Sequence, residues 1–306
     1  MSLINGGKPF RYDQIDGLAM SPDRLRQLVR ERELRRVVHG VYIDSSVLDS
    51  RDVRVKSLAL VLPLHGVFCL GTASWVLEVD TFAPSERYDL VPTAMVPHHR
   101  VRVRDTRGAR CIEGYLSTGD VMMIGGVPIT TATRTACDIL RRMRRPWALA
   151  GADALLHAGL TDRERIRDAL DPLVGFPGIV QARELARLSE PAAESSGESI
   201  QRLRLIDAGF PRPRPQHVVR DSRGRELARL DNAYPAALVA CEHDGAQHHT
   251  EAEDRQHDEQ RRTHVSHTYG WRFVVTTRSN LFGKDDTFER EVGALLGFTP
   301  RLPRRW

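Results

Sequence analysis

The chain has 306 residues, 41% of them hydrophobic and 28% charged, a balance that excludes a disordered polyelectrolyte and leaves room for two or three globular domains. The formal net charge is +5 and the basic side chains are almost all arginine, with lysine only at Lys8, Lys56 and Lys284; guanidinium forks grip phosphate in pairs of hydrogen bonds, so nucleic acid is a fitting partner. Cys69, Cys111, Cys137 and Cys241 are far apart, no basic-then-apolar leader opens the chain, and no apolar run approaches a membrane span, which points to a reduced cytoplasmic protein and away from a thiolate zinc site or a membrane partner.

Residues 10–43 read as a first compact unit. A short helix is expected over Gln14–Ala19. Ser21-Pro22 then caps and opens a second, with Leu25, Leu28 and Val29 at helical spacing up to Leu34. Val37 to Ile43 reads as a β-hairpin turning at Gly40. These are the parts of a winged helix-turn-helix spanning residues 1–50. Arg24, Arg26, Arg30, Arg32, Arg35 and Arg36 decorate the second helix and the root of the wing, where they can reach DNA phosphates. The stretch ELRRVVHGVY (33–42) resembles the N-terminal domain of the AbiEi family, the antitoxin-type winged helices of type IV toxin–antitoxin systems. That resemblance implies DNA as one partner and a toxin as another.

Residues 51–190 read as a middle α+β region. Leu58–Leu62 and Ala73–Val79 have the character of core helices, and Val101-Arg102-Val103-Arg104 alternates as a half-exposed strand. Val121–Thr131 carries a Gly125-Gly126 hairpin signal. Thr133–Leu140 begins a helix, and Thr161-x-x-Glu164 is a capping box for another. The order of elements is similar to the region that follows the winged helix in AbiEi-like proteins. His98-His99 and the basic run Arg141–Arg145 are its only chemically suggestive features. A basic run at a helix end is ordinarily a solvated cap on the helix dipole, a second phosphate-contacting patch being the alternative.

The last segment, 191–306, follows a boundary rich in Ser, Pro, Ala and Glu. A helix opens at Ser195-x-x-Glu198, itself a capping box, with Ile200, Leu203 and Ile206 on one face as far as Gly209. A strand is expected at Gln216–Arg220, then a turn at Asp221–Gly224. Two further strands joined at Tyr234-Pro235 carry Asp231 and, after the apolar run Leu238–Cys241, Glu242 and Asp244. A long polar helix runs to Tyr269, with Trp271–Thr276 as a strand and Asp285–Leu296 as a last helix. Two carboxylates converging from neighbouring strand ends repel each other and are costly to desolvate, so a divalent cation between them is the natural compensation. Spacing alone leaves open that Asp231 is a turn acid and Glu242-His243-Asp244 a solvated strand end.

Asp231, then Glu242-x-Asp244-Gly245 with His248 just after, resembles the core of the PD-(D/E)xK nuclease superfamily, most closely its Vsr-like (very-short-patch-repair-type) branch. The resemblance extends to Glu198-Ser199 on the upstream helix, to Asp258 with Arg261 or Arg262 on the long helix, and to Gly270-Trp271-Arg272. It implies a restriction-endonuclease-like mixed-sheet domain, and hence a mixed α/β (α+β) chain overall. It implies too a Mg²⁺- or Mn²⁺-dependent endodeoxyribonuclease or nickase. Asp231 would be the principal metal ligand and Glu242 the second, the His243 carbonyl would supply a third oxygen, and Glu198 would orient a metal-bound water. The superfamily's lysine after the second acid is absent and Asp244 stands there, as ligand or turn residue. His248, with His249 second, is the candidate for the lysine's task, because imidazole exchanges a proton near neutral pH. Arg261 and Arg262 would contact DNA and stabilise the charge on phosphorus. His257, His264 and His267 are better placed for an exposed helix face than for zinc.

Two readings of function follow. One is a metal-dependent DNA endonuclease positioned by the winged helix; the alternative is an AbiEi-like antitoxin or transcriptional regulator whose nuclease-fold domain is catalytically inactive. A homodimer fits either. The nuclease reading rests on Asp231 and Glu242 facing each other with no arginine filling the gap.

Overall fold

The computed structural model describes residues 3–82, 90–97, 108–245, 252–304 and 306, and the chain is a mixed α+β protein, with three sheets among the described residues. It divides into two compact units, Met1–Arg141 with Glu164–Phe176, and Arg142–Arg163 with Pro177–Trp306.

The first unit opens with β1 (Phe10–Arg11) and helix α1 (Pro22–Arg30). The hydroxyl of Ser21 accepts from the Arg24 backbone N–H at 3.1 Å and Pro22 occupies the first helical turn, as the sequence requires. The helix stops at Arg30, short of Leu34, and Arg32 adopts a positive φ of 60°. The hairpin β2 (Leu34–Val38) and β3 (Val41–Asp44) turns at Gly40, φ 73°, and completes a three-stranded sheet in the order β1-β3-β2. In place of the expected helix at 14–19 stand two single 3-10 turns, Tyr12–Gln14 and Asp16–Leu18. Six residues containing Gly17 are too few to offset the entropy of nucleating an α-helix. Phe10, Ile15, Leu25, Leu28 and Leu34 close a small core of their own.

Helices α2 (Arg51–Ala59) and α3 (Leu70–Val76) accompany a five-stranded mixed sheet of β4 (Val67–Phe68), β5 (Thr93–Pro97), β6 (Arg110–Gly114), β7 (Val121–Ile124) and β8 (Val127–Thr130), in the order β6-β5-β4-β8-β7. The expected hairpin at Gly125-Gly126 is the β7–β8 turn. Val37, Val38, Val41 and Ile43 of the wing share one apolar cluster with Val53, Leu58, Phe68 and Ile129, so the wing and this sheet fold as one body. His98-His99 and the strand expected at Val101–Arg104 lie outside the described residues.

Of the helices that follow, α4 (Ala132–Arg142) and α6 (Arg163–Leu170) lie with the first unit and α5 (Arg145–His157) with the second. The basic run at their junction is divided: Arg142 and Arg144 are exposed, whereas Arg141 and Arg145 turn inward. Arg141 is buried, bonded to Asp138 at 3.0 Å and stacked over Phe176. Arg145 is clamped by Asp207 and Glu184 at 2.6 and 2.9 Å. With these guanidinium groups committed internally, they are withdrawn from phosphate.

The second unit continues with α7 (Ile179–Leu188), α8 (Ser196–Asp207), β9 (Arg214–Arg220), β10 (Glu226–Tyr234), β11 (Val239–Asp244), α9 (Ala252–Tyr269), β12 (Arg272–Thr277), α10 (Arg278–Leu281) and α11 (Thr287–Leu296). Its sheet runs β12-β11-β10-β9, antiparallel except for the β11/β12 pair. A parallel pair needs a crossover, and α9 supplies it. Gly270, φ 73°, ends α9 as expected. Helix α8 departs from the sequence reading: every residue from Gly197 to Leu205 is buried, not one face alone. Arg202 pairs with Asp153 at 2.6 Å and Arg204 with Glu289 at 2.5 Å, 49 and 85 residues away. Periodicity counts such arginines as solvent-facing because their partners are remote in sequence.

Candidate functional site

The β10/β11 ladder pairs Asn232 with Cys241 and Ala233 with Ala240, so the next positions along it, Asp231 and Glu242, stand opposite one another. The continuous run Leu238–Cys241 makes β11 a buried strand, and its register delivers Glu242 at the edge of that core, 4% exposed. Glu198 enters from the first turn of α8, 7% exposed. The sequence-derived acids 198, 231 and 242 therefore occupy one neighbourhood, and each affects the titration of Asp231. Burial foremost, then the charge of Glu198 and, to a lesser extent, that of Glu242, push the Asp231 carboxyl up to about 7, against the lowering effect of the His243 backbone N–H that Asp231 accepts at 2.9 Å. Burial also raises Glu242, against Arg261 and Arg262.

Glu198 is divided between two tasks. Its backbone N–H donates to the Ser195 hydroxyl at 3.2 Å, the capping interaction expected from Ser195-x-x-Glu198. Its Oε2 accepts from the Glu194 backbone N–H at 3.1 Å and from Gln216 Nε2 at 2.7 Å. Arg262 Nη1 lies 3.3 Å from Glu242 Oε2 and 2.9 Å from Asp244 Oδ1, and Arg261 Nη2 lies 3.5 Å from Glu242 Oε2. One oxygen of Glu242 thus faces arginine charge, whereas its Oε1 is buried with no hydrogen-bond partner among the described residues. Asp244 is an arginine partner at 32% side-chain exposure.

His243 takes its place through contacts that its position in Glu242-His243-Asp244 does not announce. Its Nδ1 is 3.0 Å from the Thr276 hydroxyl, and its ring lies so close to Gly197 that an added Cβ there would meet it at 1.9 Å. Burial lowers its imidazole below the ordinary range. Beneath the acids runs a polar network absent from the sequence reading. Gln201 Nε2 donates to the Glu242 carbonyl at 2.9 Å and to the Thr276 hydroxyl at 2.8 Å, while Asn232 Nδ2 donates to Gln201 Oε1 at 2.9 Å and to the Glu198 carbonyl at 3.2 Å. The available signal was Gln201 lying three residues after Glu198 on the same helix face.

His248 and His249 lie outside the described residues, and of the three helix histidines the side chain of His257 does as well. Among the described residues no three His, Cys, Asp or Glu side chains are arranged as a ready metal ligand set. The donors nonetheless match a hard cation in chemistry: two carboxylates opposite each other, one raised toward neutrality and one with an orphaned buried oxygen. Asp231 and Glu242 would hold it, in competition with Arg261 and Arg262, which both reach Glu242 Oε2, and with the charge of Arg261, which also bears on Asp231, so arginine already supplies part of the counter-charge that the nuclease reading assigns to a cation.

In the first unit, Arg24, Arg26 and Arg30 project from the exposed side of α1 while Leu25 and Leu28 bury the other. Arg36 is exposed; Arg35 is half-buried and spends a donor on the Val47 carbonyl at 3.1 Å. Arg26 and Arg30, with Tyr12, Arg36 and Tyr42, line a groove between α1 and the wing.

Residues 66–188 match the AbiEi antitoxin C-terminal domain. The match falls on the segment expected at 51–190, leaves the first fifty residues outside it, and ends before the acid cluster. Two Mycobacterium tuberculosis proteins, from strains CDC 1551 and H37Rv and each described as an uncharacterized protein, are 31% identical to this chain over 258 residues, 83% of its length and 89% of theirs. The chain belongs to the family of these mycobacterial proteins. No helix among the described residues is long and apolar enough to cross a membrane.

Proposed function

We propose that this chain is an AbiEi-type antitoxin and transcriptional regulator of the cytoplasm, binding duplex DNA through α1 and the wing, with a toxin as its protein partner. The observation that carries the reading is the match of residues 66–188 to the AbiEi antitoxin domain, downstream of a winged-helix unit whose helix α1 exposes Arg24, Arg26 and Arg30. A helix held by Leu25 and Leu28 against its own small core offers those guanidinium groups to a phosphate backbone at little entropic cost. A homodimer would place two such helices on a two-fold operator. Binding to a duplex from the gene's own upstream region, read by fluorescence anisotropy across a salt series, tests this. Arg24→Gln, Arg26→Gln and Arg30→Gln together are expected to weaken binding at least tenfold and to lower the salt slope by roughly 2–3, at about 0.9 per phosphate contact. An unchanged slope sinks the reading.

A second reading, metal-dependent phosphodiester cleavage at Asp231 and Glu242, is favoured by one specific feature, the buried Oε1 of Glu242, without a hydrogen-bond partner among the described residues, opposite a carboxyl at about 7. Mg²⁺ or Mn²⁺ bound there would hold a phosphate oxygen and acidify the attacking water. The chain's own part would be positioning: Gln201 fixes the strand end through the Glu242 carbonyl, and the His243 N–H orients Asp231. Supercoiled plasmid with either cation should be nicked by the parent and left intact by Asp231→Ala, with DNA binding unaffected. Equal behaviour of the two proteins removes this reading and leaves the first.

A further inference from the structure

We propose that the β9–β10 hairpin is a second DNA-contacting surface, a basic ribbon that holds the phosphate backbone of a duplex beside the acid cluster; the inference rests on the DNA-binding reading above. The segment from Arg214 to Arg229 holds Arg214, Arg220, Arg223, Arg225 and Arg229 against Asp221 and Glu226, a net +3 within a chain whose total is +5. All five arginines are exposed.

Of the two acids, Glu226 is exposed and Asp221 pairs through Oδ2 with Arg225 at 2.7 Å, which leaves the charge of Arg214, Arg220 and Arg223 facing outward. Asp221 is turned into the hairpin, with 9% of its side chain exposed. Its Oδ1 accepts from the backbone N–H of Arg223 at 2.8 Å and of Arg225 at 2.9 Å, and its backbone carbonyl accepts from Gly224 at 3.0 Å, where φ is +78°. The carboxylate is spent on building the turn, and the turn holds its arginines in a fixed arrangement, which reduces the ordering cost of binding. Among the described residues Arg214, Arg220 and Arg223 meet no carboxylate, and the Arg220 guanidinium donates to the Gly224 carbonyl at 3.0 Å.

Two features set this surface apart from ordinary edge protection. Strand β9 is an edge strand, and charges along an edge are a common defence against aggregation. Arg223 and Arg225, however, lie in the turn and Arg229 on the inner strand β10. The ribbon is also fastened to the acid site, through Gln216 to Glu198 at 2.7 Å and through Arg229 to Glu194 at 2.9 Å. Arg214 and Arg220 are separated by about 20 Å of strand at ~3.3 Å per residue, roughly the axial length of six base pairs. A duplex lying along β9 can therefore meet several of these guanidinium groups at once. Because the contacts are to phosphate, the binding they add is independent of base sequence.

The test uses the full chain and a 30-base-pair duplex of arbitrary sequence, with affinity measured across a salt series. Arg214→Gln, Arg220→Gln and Arg223→Gln together are expected to weaken binding about tenfold or more and to lower the salt slope by roughly 2–3. The α1 arginine variant is measured in parallel. Should the ribbon variant match the parent at every salt while the α1 variant loses affinity, the ribbon is overturned and the DNA-binding reading stands. Should the parent bind no duplex at all, both fall. Loss of binding to vesicles of anionic phospholipid, with duplex binding intact, overturns the proposal in favour of a membrane surface. Arg223→Glu alone, at the exposed tip, gives the same readout if the triple variant does not fold, with a slope change of about 1 expected and no change overturning the proposal.

Discussion

Asp231→Asn is expected to make the second unit more stable than the parent at pH 8, by up to about 4 kcal/mol, with the difference gone by about pH 4. The carboxyl rises from 3.8 to about 7 on folding, so the folded state holds a proton that the unfolded chain has released. Stability from this group is full below pH 3.8, falls as pH climbs toward 7, and stays at its minimum above it. Asparagine removes the charge that burial, Glu198 and Glu242 oppose, and its side-chain oxygen still accepts the His243 N–H that Asp231 accepts at 2.9 Å. Urea unfolding followed by tryptophan fluorescence at pH 4 and 8 reads this directly, since Trp147, Trp271 and Trp306 all lie in the second unit. A cation bound by Asp231 would narrow the gap at pH 8 by stabilising the parent alone. A variant less stable than the parent at pH 8 would mean that the acid is in comfortable surroundings, and the argument for compensating cation chemistry would go with it.

Glu289→Gln is expected to cost about 3–5 kcal/mol, the range for leaving a buried guanidinium without its carboxylate. Arg204 and Glu289 are both fully buried and joined at 2.8 and 2.5 Å. Arg204 also donates to the carbonyls of Asn280, Leu281 and Asp285 and lies over the ring of Phe288. Those carbonyls satisfy its N–H groups but cannot neutralise its charge, and Glu289 also faces Arg304 Nε at 3.5 Å, so a glutamine of the same volume removes the counter-charge of two guanidinium groups at once. The midpoint of urea unfolding should fall with its slope unchanged. A midpoint equal to the parent's would show that water reaches Arg204.

Much of the candidate site was legible because it depends on local pattern. An apolar run closed by acids marks a buried strand, and two such strands joined by a short turn must pair; from that, Asp231 and Glu242 fall opposite each other. The capping box at Ser195 and the hairpins at Gly40 and Gly125-Gly126 were legible for the same reason, since each is set by bonds spanning a few residues. What escaped was whatever depended on partners far along the chain. Gln201 drew no notice in the sequence, yet it lies 2.8 Å from Thr276, and Arg262, expected to contact DNA, also pairs with Asp244 at 2.9 Å.

The sequence by itself determined the class of fold, the order of helix and strand in the last third, the capped basic helix near the start, and the pair of acids on neighbouring strands. Those are properties of backbone propensity and periodicity, which act over one turn or one hairpin. Only the tertiary structure decided that the wing shares its core with the sheet that follows, that α8 is buried all round, and that arginines 141, 145, 202 and 204 are committed to internal carboxylates. A charge buried in a protein is tolerable only beside its counter-charge, and which counter-charge arrives is set by how distant segments pack.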